Sequence, residues 1–187
     1  MLLLASQSPR RAELLRQMGL MFQTLPVDLD ETQLNQEAPL DYVKRLACAK
    51  SALGWQKSAQ NMPVLGADTV VVINETVLGK PQDKTDAQRM LSLLSGKLHH
   101  VFTGVALTTA QGQVYCVVKT QVKFAVLSAQ QISDYWHSGE PIDKAGSYAI
   151  QGFGGQFVES IQGSYSAVVG LPLFETRQLL NKIGYKP

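Results

Sequence analysis

The chain has 187 residues, enough for one ordinary domain with a substantial core and short of the length that calls for a second. Apolar residues make up 45% and charged residues 17%, a balance that excludes a disordered chain and predicts one soluble domain over residues 1–187. The net charge of +2, from 17 basic and 15 acidic residues with no long run of either sign, argues against nucleic acid or a membrane surface as partner.

Residues 1–5 are apolar but lack a preceding basic stretch and stop at Ser6, too short for a signal sequence or a span, so a cytoplasmic location is expected. Residues 2–5 read as a short buried strand. Ser8-Pro9 then opens a helix, with a serine cap and a proline at the first helical position, and Gly19 stops it after Met18. Residues 21–27 read as a strand leading into Asp28-Leu29-Asp30-Glu31, and residues 32–39 as loop. A second helix is expected over residues 40–55. Lys50 lies on its apolar face, seven, four and three residues beyond Val43, Leu46 and Ala47.

Residues 64–73 are apolar on both alternating faces except at Asp68 and Thr69, the pattern of a strand covered on both sides. Asn74-Glu75 reads as a hairpin turn, residues 83–94 as a third helix, and residues 101–109 and 114–124 as a long hairpin. Ser128 with Gln131 makes a capping box for a helix that ends near Ser138-Gly139. Gly152, Gly154 and Gly155 share one loop, in which close approach of the backbone to a ligand is expected. Residues 158–161 and 165–169 read as short strands, and residues 173–183 as a closing helix ended by Gly184.

Asp68 is the most informative residue, because an unpaired carboxylate inside such a strand costs several kcal/mol, about the whole stability margin of a domain. A divalent metal, a lysine or an active-site water would compensate it, and a structural aspartate bonded to turn N–H groups is the plainer alternative. Ser6-Gln7-Ser8-Pro9-Arg10-Arg11 joins a strand to a helix, where free N–H groups and the helix dipole favour an anion, and arginine suits phosphate oxygens. The same pattern also describes a capped helix with solvated arginines. Lys50 and Lys80 are the natural cationic companions of Asp68, and both could reach phosphate, although each alone also reads as a snorkelling or surface lysine. Asp28, Asp30 and Glu31 are candidate metal ligands or a solvated acidic loop.

Cys48 and Cys116 are isolated, which excludes a disulfide framework. An arginine six residues after either is lacking, Gly54 and Val122 standing there, which excludes a cysteine-nucleophile phosphatase. His99, His100 and His137 show no metal-ligand spacing and read as surface or pocket-edge residues.

These motifs together resemble the Maf family of nucleoside triphosphate pyrophosphatases: Ser6-Gln7-Ser8-Pro9-Arg10-Arg11, Asp30-Glu31, Gly66-Ala67-Asp68-Thr69, Gly79-Lys80-Pro81, Asp143-Lys144-Ala145-Gly146-Ser147-Tyr148, Gln151-Gly152 and Val168-Val169-Gly170-Leu171-Pro172. The likeness runs the length of the chain. It implies a mixed α/β fold, a twisted sheet with flanking helices in two lobes around a cleft, related to inosine triphosphate pyrophosphatases. The branch acting on dTTP and UTP carries an arginine directly after Ser-Pro-Arg, a threonine after the aspartate and a glutamine before the late glycine. Arg11, Thr69 and Gln151 match all three. The branch acting on 7-methyl-GTP inserts a bulky residue before its arginine pair, which this sequence lacks. Ala167, where members often have asparagine, is one departure.

The expected reaction is hydrolysis of dTTP and UTP to the monophosphate and pyrophosphate, with Mg²⁺ or Mn²⁺ held by carboxylates that include Asp68 and Glu31. Asp68 would orient and deprotonate the water that attacks the α-phosphorus. Ser6, Arg10, Arg11, Lys50 and Lys80 would hold phosphates, and Thr69 and Gln151 would select the base, since a carboxamide complements the N3–H and O4 edge of uracil or thymine. The alternatives are the same chemistry on other or modified nucleotides, or a nucleotide-binding regulator of cell division. A homodimer is what the resemblance suggests for assembly.

Overall fold

The computed structural model describes residues 1–186; Pro187, the last residue of the expected 1–187 domain, lies outside them. Its strands β1 (Leu2–Leu4), β2 (Phe22–Thr24), β3 (Val64–Ile73), β4 (Thr76–Leu78), β5 (Leu98–Thr109), β6 (Gly112–Phe124) and β7 (Val158–Gln162) form a seven-stranded sheet. The order is β2-β1-β3-β5-β6-β7, with β4 paired to β3 off this path. β1 is parallel to β2 and β3, with Leu3 opposite both Gln23 and Val64, whereas β4 and β7 run antiparallel to β3 and β6. The helices are α1 (Pro9–Gln17), α2 (Pro39–Lys57), α3 (Lys84–Leu94), α4 (Ala129–His137), α5 (Tyr165–Val169) and α6 (Leu173–Lys182), so the fold is mixed α/β as expected. Among the described residues no helix is long and apolar enough to cross a membrane.

The chain divides into two compact units. The first contains Met1–Asp68, Thr103–Val118 and the chain from Gly170 onward; the second contains Thr69–Phe102 and Lys119–Val169. In the first, α2 packs directly on strand backbone. A Cβ on Gly66 would run into Ser51 N and lie 2.5 Å from Ala47 O, and one on Gly104 would lie 2.7 Å from Val43 O. Gly54 lets the helix itself approach Ala5 and Val64, which form a small core with Leu3. Ser51 Oγ donates to Val64 O at 2.9 Å, so the helix is bonded to the strand as well as packed on it.

The second unit has a larger apolar core in which Leu91, Leu94, Val122 and Phe124 are fully buried. Aromatic rings meet edge to face within it, Phe124 with Tyr148 at 4.7 Å and Tyr135 with Phe157 at 5.0 Å, the geometry that the ring quadrupole favours. Asn74 and Glu75 have φ of 48° and 64° and turn the β3–β4 hairpin in the left-handed region. Ser128 and Gln131 form the full capping box of α4.

Three expectations are corrected. Residues 165–169 are helical, not a strand: Ser164 Oγ accepts from Ala167 N at 3.2 Å, and this local cap overrides the β-branched residues. The strand expected over residues 21–27 is confined to Phe22–Thr24, since Pro26 has no N–H to continue a ladder. β5 begins at Leu98, and this carries His99 to full burial, not to the surface or a pocket edge. Tyr148 Oη lies 2.9 Å from His99 Nε2, and Nδ1 has no partner among the described residues.

Two outcomes are expected. Alanine at Gly66 forces a Cβ against helix backbone that has no rotamer to yield, so Gly66→Ala should cost about 3 kcal/mol, read as a lowered urea midpoint with an unchanged m-value. Burial, with a smaller push from His100, lowers the His99 pKa to about 4. Neutral His99 therefore stabilises the fold above its ordinary value of 6.5, and this contribution, about 3 kcal/mol, is lost as pH falls through that value toward 4. Denaturation series across this window should show a steeper loss for the native chain than for His99→Phe; parallel curves would refute the assignment.

Candidate functional site

β3 carries Gly66 and Asp68 on the same face, two residues apart, and α2 lies against Gly66 through Ala47 and Ser51. Lys50, between those two helix residues, thereby comes down on Asp68. Its Nζ is 2.7 Å from Asp68 Oδ1, and both residues are less than a tenth exposed. Glu31 Oε1 reaches the same ammonium at 2.5 Å from the exposed side. Two carboxylates thus converge on one buried cation.

The acidic loop is held for this by residues that no sequence motif marked. Tyr42 donates its hydroxyl to Glu31 O at 2.7 Å, and Arg45 forms a two-pronged pair with Glu37 at 2.6 and 2.8 Å while also reaching Thr32 O at 3.1 Å. Tyr42 and Arg45 lie on α2, so the helix that places Lys50 also places Glu31. Their signal in the sequence is only an aromatic and an arginine near the start of an apolar helix. Burial, then the charges of Asp68 and Glu31, push the Tyr42 phenol up to about 12, and the group stays a neutral donor. Asp30 instead accepts from Thr32 N at 2.9 Å, and Asp28 is exposed.

The strand-to-helix segment after β1 is ordered around a serine. Ser6 Oγ accepts from Ser8 N and from Arg11 Nη1, each at 3.1 Å, and Ser8 caps α1 as expected. Arg11 Nε donates to Gly170 O at 3.0 Å, so within the Val168-Val169-Gly170-Leu171-Pro172 motif the Gly170 carbonyl fixes the guanidinium. Burial draws the Arg11 pKa down, Asp68 pulls it back up, Arg10 lowers it and Glu31 raises it. Asp68 moves the other way. Burial raises its pKa, and Lys50 and Arg11 only partly offset this.

Ser6, Arg11, Glu31, Lys50 and Asp68 are therefore brought together in the first unit, with Arg10 adding positive potential. Thr69, Lys80 and Gln151 belong to the second unit. Thr69 follows Asp68 in β3 and is half-buried. Lys80 pairs with Asp143 at 2.7 Å, both largely exposed, and Gly146 N donates to Gly79 O at 3.0 Å, joining the two loops. Gln151 is exposed beside Gly152. The loop glycines approach the protein's own groups: a Cβ on Gly155 would lie 2.5 Å from Ile150 O, and one on Gly154 2.6 Å from Tyr135 Oη.

Among the described residues no group of three or more His, Cys, Asp or Glu side chains converges as a complete metal cage. Asp68 and Glu31 nevertheless fit a hard divalent cation. Both are oxygen donors already directed at one positive charge, and Mg²⁺ is bound by one or two carboxylates with phosphate and water completing the shell.

A buried lysine flanked by carboxylates has a measurable consequence. Lys50→Met leaves Asp68 without its nearest cation and should destabilise the fold by about 3 kcal/mol, much of which Lys50→Met with Asp68→Asn should recover. A double-mutant cycle in urea measures this, and strictly additive losses would show that the two groups are not coupled.

Residues 1–183 match the family model described as Maf-like protein. Curated relatives include a dTTP/UTP pyrophosphatase of Pseudoalteromonas atlantica, 60% identical with 98% of this chain and 97% of that protein covered. One of the same description from Pseudoalteromonas translucida is 55% identical, with 95% of this chain and 94% of that protein covered. A crystal structure of a nucleoside-triphosphatase, or dITP/XTP pyrophosphatase, from Mycobacterium abscessus has a TM-score of 0.45 and 18% identity, covering 67% of this chain and 75% of its own.

Proposed function

The chain belongs to the Maf-like protein family, and from that membership we propose that it hydrolyses dTTP and UTP to the nucleoside monophosphate and pyrophosphate. The observation that carries this reading is the buried Lys50 ammonium between Asp68 and Glu31, with Arg11 beside them. A binding protein that merely holds a triphosphate has no need of an ionisable carboxylate kept at that cost in a buried strand.

In the proposed reaction the Asp68 carboxylate orients a water and takes one of its protons as the oxygen attacks the α-phosphorus. The bond from that phosphorus to the bridging oxygen breaks, and pyrophosphate leaves with the electron pair. Lys50 fixes Asp68 in position. Arg11, fixed by Ser6 and Gly170, brings its charge to the phosphates, and Arg10 and Lys80 add positive charge for the leaving group. A divalent cation, Mg²⁺ or Mn²⁺, held by Asp68 and Glu31 would supply charge neutralisation at the phosphates. Thr69 and Gln151 are assigned to the base. The Gln151 amide offers one donor and one acceptor, the complement of the uracil and thymine edge.

A panel of nucleoside triphosphates assayed for pyrophosphate release with Mg²⁺ or Mn²⁺ tests the assignment, with dTTP and UTP expected to give the highest kcat/KM. Asp68→Asn keeps the shape but removes the base and should lower kcat by about 10²–10⁴-fold. Preference for a purine would overturn the substrate assignment, binding of dTTP without cleavage would favour a regulatory role, and an Asp68→Asn variant of near-native rate would remove Asp68 as base.

A further inference from the structure

We propose that Glu140, acting with Tyr135, is a positioning residue that sets base selectivity by holding the backbone on both sides of Gln151; this rests on the role assigned above to Gln151. Glu140 stands just beyond α4, outside the motifs that carry the family resemblance. Its carboxylate accepts three hydrogen bonds. Oε1 takes the Tyr135 hydroxyl at 2.6 Å and Gly154 N at 2.9 Å, and Oε2 takes Phe153 N at 2.8 Å. The Tyr135 hydroxyl in turn accepts from Ala149 N at 3.1 Å. One carboxylate–phenol pair therefore fixes the amides two residues before Gln151 and two and three residues after it.

The surroundings are built for this pair. A Cβ on Gly152 would run into the Glu140 carboxylate, and one on Gly154 would lie 2.6 Å from Tyr135 Oη, so both glycines make room for it. Tyr135 is anchored below by its edge-to-face contact with Phe157, and Ser138 Oγ bonds both Tyr135 O, at 2.6 Å, and Glu140 N, at 3.2 Å. Burial works against the Glu140 charge, but the Tyr135 hydroxyl and the Gly154 and Phe153 amides outweigh it and hold the group below its ordinary range, so it remains an acceptor. The segment so held presents Gln151 exposed and, two residues on, the ring of Phe153 at 67% exposure. An amide that must meet a base edge at hydrogen-bond distance needs a fixed backbone, because a shift of a fraction of an ångström at its Cα carries the donor and acceptor out of line with that edge.

Glu140→Gln is the informative variant. An amide has a single acceptor oxygen, and its NH₂ would face a backbone N–H, so one bond of the latch is lost with no change of size. The test compares wild type, Glu140→Gln and Tyr135→Phe on dTTP, dGTP and an abasic ribose triphosphate in the presence of Mg²⁺. Amide hydrogen exchange of residues 149–154 is followed in parallel. Both variants should lower the dTTP-to-dGTP ratio of kcat/KM by about fivefold or more, chiefly through a higher KM for dTTP, while turnover of the abasic substrate stays within about twofold. The Phe153 and Gly154 amides should exchange faster.

Equal loss on all three substrates, or faster exchange with an unchanged ratio, makes the latch merely structural and overturns the proposal. A wild-type protein that releases no pyrophosphate from any triphosphate overturns the pyrophosphatase reading itself, and the selectivity role with it. That outcome is distinct from an active enzyme whose ratio does not move.

Discussion

The ion pair between Lys50 and Asp68 is the interaction around which the first unit is arranged. Placing a carboxylate in a strand covered on both faces is tolerable only if a positive charge meets it, and the charge itself must come from an element that can lie close to the strand. Gly66 and Gly104 satisfy that geometric demand. With no side chains between them and α2, the helix backbone rests on the sheet, and a lysine on its underside can reach a carboxylate one pleat away. The same helix also anchors the acidic loop through Tyr42 and Arg45, so one rigid element sets both carboxylates around a single cation.

This arrangement is held under electrostatic tension. Burial pushes the Asp68 carboxyl toward its neutral form, and Lys50 and Arg11 oppose that push without cancelling it. Arg11 meets the opposite pressure, since burial disfavours its charge and Asp68 sustains it. Each ion depends on the other. In the proposed reaction a triphosphate with its divalent cation would ease both pressures, phosphate oxygens meeting the arginine and a hard metal the carboxylates.

The second unit solves a different problem. Its loops are rich in glycine, yet those glycines do not make the backbone loose. Gly146 sits against Val71, Gly152 against Glu140 and Gly154 against Tyr135, so each absent side chain marks a place where another part of the same unit comes close. Single polar side chains, Glu140 and the surface pair of Lys80 with Asp143, then tie the loops to helix ends and to each other.

The sequence by itself determined the elements whose signals are local. The Ser8-Pro9 start of α1, the Ser128–Gln131 capping box, the Asn74-Glu75 turn and the two-sided apolar run of β3 all stand where their patterns put them, because caps, turns and burial periods act over a few residues. Lys50 and Asp68 were legible as a conflict, each a charge on an apolar face. That a lysine could answer Asp68 was legible as well; that Lys50 does so directly, while Lys80 pairs with Asp143, was not, since it depends on two glycines that bring distant segments into contact. Only the tertiary structure decided that Gly170 holds Arg11, that Glu140 holds the backbone around Gln151, that His99 is buried, and that residues 165–169 coil into a helix. Each of these follows from a partner far along the chain or from a competition between a cap and a weak strand preference, and neither is written in the spacing of neighbouring residues.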